Sequence, residues 1–138
     1  MNIVTLTMNP VLDVSTAVDR VQSNCKLRCE APRVEPGGGG INVSVAMAEL
    51  GCSATAVYLC GGATGRRLKD LLSVRGLQQL PVRIDAGIRR NLMVVDESSG
   101  EQYRFVMPGP TLAADDVEQV LAVLEDVDLV TRPGEKVA

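Results

Sequence analysis

The chain has 138 residues, 46% of them hydrophobic, 22% charged and 2% aromatic, enough for one folded unit and unlike a disordered tract, a collagen repeat or a disulfide-knit peptide. A net charge of −3 and a pI near 4.9 remove bulk attraction to nucleic acid, so any anion site has to be local. No apolar run approaches the roughly 18 residues that span a bilayer and the amino terminus lacks a basic, then apolar, leader pattern, so a cytoplasmic protein with no membrane partner is expected.

Ile3 to Thr7 is a β-branched run that ends at Asn9-Pro10, which predicts a first strand running into a loop, with Asp13 just past its end. Val14 to Val34 reads as two extended segments that turn at Ser23-Asn24. Pro36-Gly37-Gly38-Gly39-Gly40 breaks the pattern, and Ile41 to Leu50 then has helix length and stops at Gly51. That helix is apolar almost all round and is expected to be buried. Ala54 to Cys60 predicts a strand, Gly61 to Gly65 a turn, and Arg66 to Val74 a helix with Leu68, Leu71 and Leu72 at helical spacing.

Leu92 to Asp96 and Gln102 to Met107, joined through Glu97-Ser98-Ser99-Gly100, read as an antiparallel hairpin. Alternation places Tyr103, Phe105 and Met107 on one face of its second strand and Arg104 on the other. Asp115 to Asp126 predicts an amphipathic helix with Val117, Val120, Leu121 and Leu124 on one stripe, and Asp128 to Thr131 a further strand. The rhythm implies a parallel α/β sheet covered by helices, with the strand pairs at 14–34 and 90–107 forming a small separate antiparallel sheet shaped like a lid. Such sheets place ligands beyond the carboxyl ends of their strands, near Asp13 and the glycine run.

With four cysteines, no histidine and no CxxC pair, zinc is not expected. Cys25 and Cys29 in an extended segment lie roughly 13 Å apart at about 3.3 Å per residue, too far to bridge, so free thiols are expected. Four glycines ahead of a helix offer unobstructed N–H groups at the positive end of a dipole, and read equally as a flexible loop that lets the helix pack. No GK[ST] follows them and no strand immediately precedes them, so neither nucleotide-binding fingerprint applies. Asp13 and Asn42 suit sugar hydroxyls, as acceptor and as donor-acceptor, although each alone also reads as a turn or cap residue. Lys26 and Arg28 share a face of a predicted strand, and Arg89, Arg90 and Arg104 lie in the other strand pair. Singly these are solvated charges; jointly they fit a phosphate group. Met93 and Met107 read as packing residues.

The run Pro36 to Val43, followed by Ala46, Leu50 and Gly51, resembles the first signature of the ribokinase-like (PfkB) carbohydrate kinases. Lys26-Leu27-Arg28-Cys29, Gly61 to Gly65 and Ser99 to Gly109 are similar to the family's bacterial 6-phosphofructokinase branch, over roughly residues 1 to 130. The resemblance implies a ribokinase-like αβα sandwich with a β lid, and ATP-dependent phosphorylation of fructose 6-phosphate with ATP and Mg²⁺ serving the full-length enzyme. Asp13, Gly38, Gly39 and Asn42 would hold sugar hydroxyls, and Lys26, Arg28, Arg89 and Arg104 would surround the phosphate. Family members that act on fructose 1-phosphate or tagatose 6-phosphate usually carry a lysine in the glycine run, where Gly39 stands here. The lid also builds a homodimer in the family, so Leu27, Tyr103 or Phe105 would face a second copy.

Departures accompany the resemblance, among them Cys25 where near relatives have glycine and Val45 where they often have a basic residue. Family members are about twice as long, and a Gly-Ala-Gly-Asp run that supplies the general base, together with the nucleotide pocket, has no counterpart in this sequence. The tail Thr131-Arg132-Pro133-Gly134-Glu135-Lys136-Val137-Ala138 differs from the family's usual continuation, as a frameshift or premature end would produce. Residues 1–138 therefore read as a partial kinase domain that binds a sugar phosphate, binds neither ATP nor Mg²⁺ well alone, and is inactive alone. The competing expectations are a noncatalytic sugar-phosphate binding or dimerisation module, a kinase for fructose 1-phosphate or tagatose 6-phosphate, and a fragment that hardly folds.

Overall fold

A computed structural model describes residues 3–131. A three-stranded parallel sheet is formed by β1 (Ile3–Thr7), β4 (Ala54–Cys60) and β5 (Gln78–Arg83) in the order β1-β4-β5. Helices α1 (Gly39–Glu49) and α2 (Gly62–Val74) cover one face and α3 (Ala114–Thr131) the other. Alternation along β4 explains the layering, because successive side chains point to opposite faces. Ala56 and Tyr58 pack with Ile41 of α1 and with Leu68 and Leu72 of α2, whereas Val57 and Leu59 pack with Val82 and with Val120 of α3. Both crossovers advance the sheet in one direction, β1 to β4 and β4 to β5, so α1 and α2 share a face.

A second sheet, inserted between β1 and α1 and again after β5, has the order β3-β2-β6-β7, with β2 (Val11–Val18), β3 (Arg33–Gly37), β6 (Arg89–Asp96) and β7 (Gln102–Phe105). It is mixed rather than antiparallel: β2 pairs β3 and β6 pairs β7 antiparallel, but the central β2–β6 pair is parallel, Val11 opposite Arg89 through Val18 opposite Asp96. The two predicted strand pairs thus meet along their first strands. Leu12 and Val34 tie this sheet to the core beneath α1 and α2.

Several boundaries differ from the sequence reading for identifiable reasons. Helix α1 begins at Gly39, inside the glycine run, and only Ile41 and Ser44 are fully buried along it. An apolar composition does not oblige burial, and α1 rests on β1 and β4 through one side, which leaves Val43 exposed. Helix α2 begins at Gly62, so most of the expected turn at 61–65 is its first turn; Gly65 lies close against Cys60, where a Cβ would approach backbone at 3.1 Å. Strand β5 escaped prediction because Pro81 and two glutamines blur its pattern, yet proline is tolerated on an edge strand.

Helix α3 continues through Thr131 and replaces the strand expected at Asp128–Thr131. Val120, Val123, Val127 and Val130 keep helical spacing with no Gly or Pro before Pro133, so propagation continues. Its inward stripe is Val120, Val123 and Leu124, whereas Val117 and Leu121 are exposed.

Asp96 joins the two halves of the second sheet. The carboxylate accepts hydrogen bonds from the Val21 amide at 2.9 Å, from the Ser98 amide and hydroxyl, and from the Ser99 amide. Chiefly the Ser98 hydroxyl, then the Val21 amide, hold its carboxyl down to about 2 from an ordinary 3.8. A depressed carboxylate pKa contributes stability above the unfolded value that is lost as pH falls through the folded one. The melting temperature should therefore drop between about pH 4 and pH 2, and Asp96→Asn should flatten that part of the profile; the same slope in parent and variant would assign the loss to other carboxylates.

Candidate functional site

The glycine run is held at the carboxyl end of β1 by two hydroxyl contacts. The Ile41 amide donates to Thr7 Oγ1 at 3.0 Å, and Thr5 and Ser44 share a buried hydrogen bond at 2.7 Å. Gly38 adopts φ 124, a conformation L side chains rarely enter. A Cβ at Gly40 would sit 2.6 Å from the Leu6 carbonyl oxygen, whereas one at Gly39 would meet nothing within 4 Å. Gly38 and Gly40 are thus required by the fold, and Gly39 is not. Gly40→Ala is expected to cost about 2 kcal/mol through overpacking against backbone, and Gly39→Ala to leave the unfolding free energy from urea titration within about 0.5 kcal/mol of the parent; equal losses would refute this assignment.

The outward face of the second sheet carries a row fixed by register. Glu35 of β3, Asp13 of β2 and Asn91 of β6 are direct neighbours, and the next row brings Ser15 beside Met93 and Met93 beside Arg104. Together they line a cleft of about 330 Å³, a size that suits a small organic ligand. Asp13 lies within β2 rather than at the end of β1, because β2 begins at Val11, directly after Pro10. Its carboxylate is exposed, has no hydrogen-bond donor among the described residues, and rests against Gly37, where any Cβ would overlap Oδ2.

Arg89 follows the same face one step from Asn91. Its Nη1 donates to Asn91 Oδ1 at 3.5 Å and to the Met107 carbonyl at 3.4 Å, while the Met107 amide donates to Asn91 Oδ1 at 3.1 Å. The Arg89 Nε is buried without an acceptor. A buried charged donor left unpaired is costly, and an anion would relieve it. Arg104 is exposed, its Nη2 donating to Gln102 Oε1 at 3.2 Å.

The remaining expected site residues are dispersed. Lys26 and Arg28 are exposed on the loop between β2 and β3, not on a strand. Pro32 has no N–H to continue the β2–β3 ladder beyond Arg33, and the chain rejoins β2 only where the Glu30 amide meets the Ala17 carbonyl and Thr16 Oγ1 meets the Glu30 carbonyl. Asn42 is exposed and borders a shallow hollow with Glu35, Val45, Glu49 and Arg75 rather than the cleft beside Asp13. Thus Asp13 and Arg104 share one cleft with Arg89 beside it, Gly38 and Gly39 stand at the adjoining turn, and Lys26, Arg28 and Asn42 lie apart. The sequence reading missed Asn91, Ser15 and Glu35 as cleft residues and gave Met93 only a packing role. A polar residue between Arg89-Arg90 and Leu92 in a β-prone run was the available signal for Asn91.

The family model for pfkB family carbohydrate kinases matches residues 6–134. ATP-dependent 6-phosphofructokinase isozyme 2 of Escherichia coli is 49% identical over 120 residues, covering 87% of this chain and 39% of the relative. The protein of the same description from Mycobacterium tuberculosis is 46% identical over 119 residues, covering 86% and 35%. The crystal structure of phosphofructokinase-2 from Escherichia coli in complex with fructose-6-phosphate superposes with a TM-score of 0.85 at 50% identity, covering 90% of this chain and 41% of that one. The chain spans well under half the length of each of these relatives.

Proposed function

The chain belongs to the pfkB family of carbohydrate kinases, and from that premise we propose that it supplies the acceptor half of an ATP-dependent kinase for fructose 6-phosphate in the cytoplasm. The observation that carries this reading is the outward row of the second sheet, where an unpartnered Asp13 carboxylate lies against Gly37 and an arginine with a free buried Nε stands beside Asn91. In this reading Asp13, Gly38 and Gly39 take the sugar hydroxyls, Asn42 reaches them from the first turn of α1 across Glu35, which the cleft and the neighbouring hollow share, and Arg89 and Arg104, with Lys26 and Arg28 brought in by the loop, take the phosphate. An ionised carboxylate only accepts hydrogen bonds, so it orients hydroxyls. Guanidinium groups bind phosphate oxygens through paired, charge-assisted bonds.

Phosphoryl transfer to the sugar 1-hydroxyl would need a base and a bound nucleotide in addition to this half. Among the described residues no three His, Cys, Asp or Glu side chains gather to hold a metal ion; the role proposed for the cleft residues is to bind and orient the sugar. Exposed Leu92, Phe105, Val106 and Met107 favour a homodimer made through the second sheet. Coupled ADP release with fructose 6-phosphate should give no turnover from the 138-residue chain, whereas turnover by a preparation free of host kinase would contradict the acceptor-half reading. Gly39→Ala, neutral for folding, should weaken sugar-phosphate binding.

A further inference from the structure

A second concave surface, sharing no residue with the cleft beside Asp13, lies at the carboxyl ends of β4 and β5. It encloses about 560 Å³ and is bordered by Cys60, Gly62, Arg66, Lys69, Arg83 and Asp85. Two features of the chain bring its cations together. Arg66 and Lys69 are three residues apart on α2, and so share one helix face. Arg83 ends β5 directly opposite Cys60, the last residue of β4.

None of the three cations is paired: the one ion pair among the described residues is Arg33–Glu35. Asp85, on the same rim, has no basic nitrogen within ion-pair distance. In a chain of net charge −3, three unpaired cations around one cleft run against the average electrostatics. Helix α2 opens at the same place, with Gly61 as its N-cap, no side chain capping it and no acid in its first turn. The first-turn amides therefore have no intrahelical acceptor and add positive potential. Gly61 and Gly62 allow the start of α2 to pack closely on the chain after β5: a Cβ at Gly61 would overlap the Ala86 carbonyl oxygen, and Gly62, at φ 62, lies against Gly87. Arg66 and Lys69 both lie near enough to the Cys60 thiol to favour its ionised form, although burial raises its pKa overall.

We propose that this cleft binds the phosphate group of a small molecule, with Arg66, Lys69 and Arg83 as its cationic ligands and the first-turn amides of α2 completing the shell. The start of a helix, with its outward amides and positive dipole end, suits a phosphate group. The proposal stands apart from the sugar site, and it leaves open only whether the phosphate is free or esterified.

The test uses the full chain with Cys25→Ser, Cys29→Ser and Cys52→Ser, so that Cys60 is the single thiol, and follows its alkylation by iodoacetamide at fixed ionic strength. Inorganic phosphate, fructose 6-phosphate and ATP are titrated separately. Saturable slowing by inorganic phosphate identifies free phosphate as sufficient, and slowing by an ester alone identifies the esterified source. Arg83→Gln or Arg66→Gln should raise the half-saturating concentration about tenfold, the loss of one charge-assisted bond. Asp13→Asn should leave it unchanged, which separates this cleft from the sugar site. Equilibrium dialysis of labelled phosphate, with circular dichroism to establish folding, gives the same comparison independently of thiol reactivity. No slowing and no retained phosphate, or equal protection in Arg83→Gln and parent, would overturn the proposal.

Discussion

Ile41→Ala is expected to lower the stability of the chain by about 3 kcal/mol, within the range for deleting a fully buried aliphatic side chain. Ile41 is 0% exposed and packs with Leu12, Tyr58, Leu68 and Leu72, so it joins the parallel sheet, α2 and the inserted sheet at one point. Its own amide is fixed by Thr7, which limits how far α1 can settle into the space left behind. A domain of this kind has about 5–15 kcal/mol in total, so the variant loses a large share of it. Urea unfolding should show a lower midpoint at unchanged slope. A loss under about 1 kcal/mol would mean that the glycine turn is anchored by its hydroxyl contacts rather than by the core.

Arg89→Ala should weaken fructose 6-phosphate binding about 30-fold, equivalent to about 2 kcal/mol for a charge-assisted contact to phosphate. The side chain also supports Asn91 and the Met107 carbonyl, so truncation could act through position as well as charge. Arg89→Lys separates the two: a point charge without the planar fork should recover part of the affinity, whereas loss of the supporting contacts alone would leave the lysine variant as weak as the alanine one. Unchanged affinity in Arg89→Ala would remove Arg89 from the site.

The parts of this architecture that were legible in the sequence are those where local chemistry and tertiary packing agree. Ile3–Thr7 and Ala54–Cys60 are β-branched or apolar runs bounded by breakers, and both form strands with the expected limits. The Ser23-Asn24 turn is present, with Asn24 at φ 58, and all four cysteines are free. What was hidden depends on partners distant in sequence. Nothing within Val11–Val18 or Arg89–Asp96 announces that they pair parallel with each other, because that pairing is set by how the chain leaves β5. Pro81 masked an edge strand whose free side makes proline harmless.

The same distinction holds at the candidate site. The glycine run, Asp13 and the arginines of the second strand pair were visible as residue types suited to a sugar phosphate. That Asp13 and Arg104 line one cleft, with Asn91 beside Asp13 and Met93 beside Arg104 on the intervening strand β6, emerges only from the sheet order β3-β2-β6-β7. Lys26 and Arg28 were misplaced because the alternation of a short polar segment resembles a strand, and Pro32 ends the ladder before reaching them.

The central claim, that this chain carries the sugar-phosphate half of a phosphofructokinase site, is tested most directly by calorimetric titration of the 138-residue chain with fructose 6-phosphate, alongside fructose and ATP. The account predicts saturable binding of fructose 6-phosphate, much weaker binding of fructose, and affinity lowered about 30-fold in Arg89→Ala and also lowered in Asp13→Asn, in variants that remain folded. Absence of binding by a folded parent chain, or binding unchanged in both variants, would contradict it.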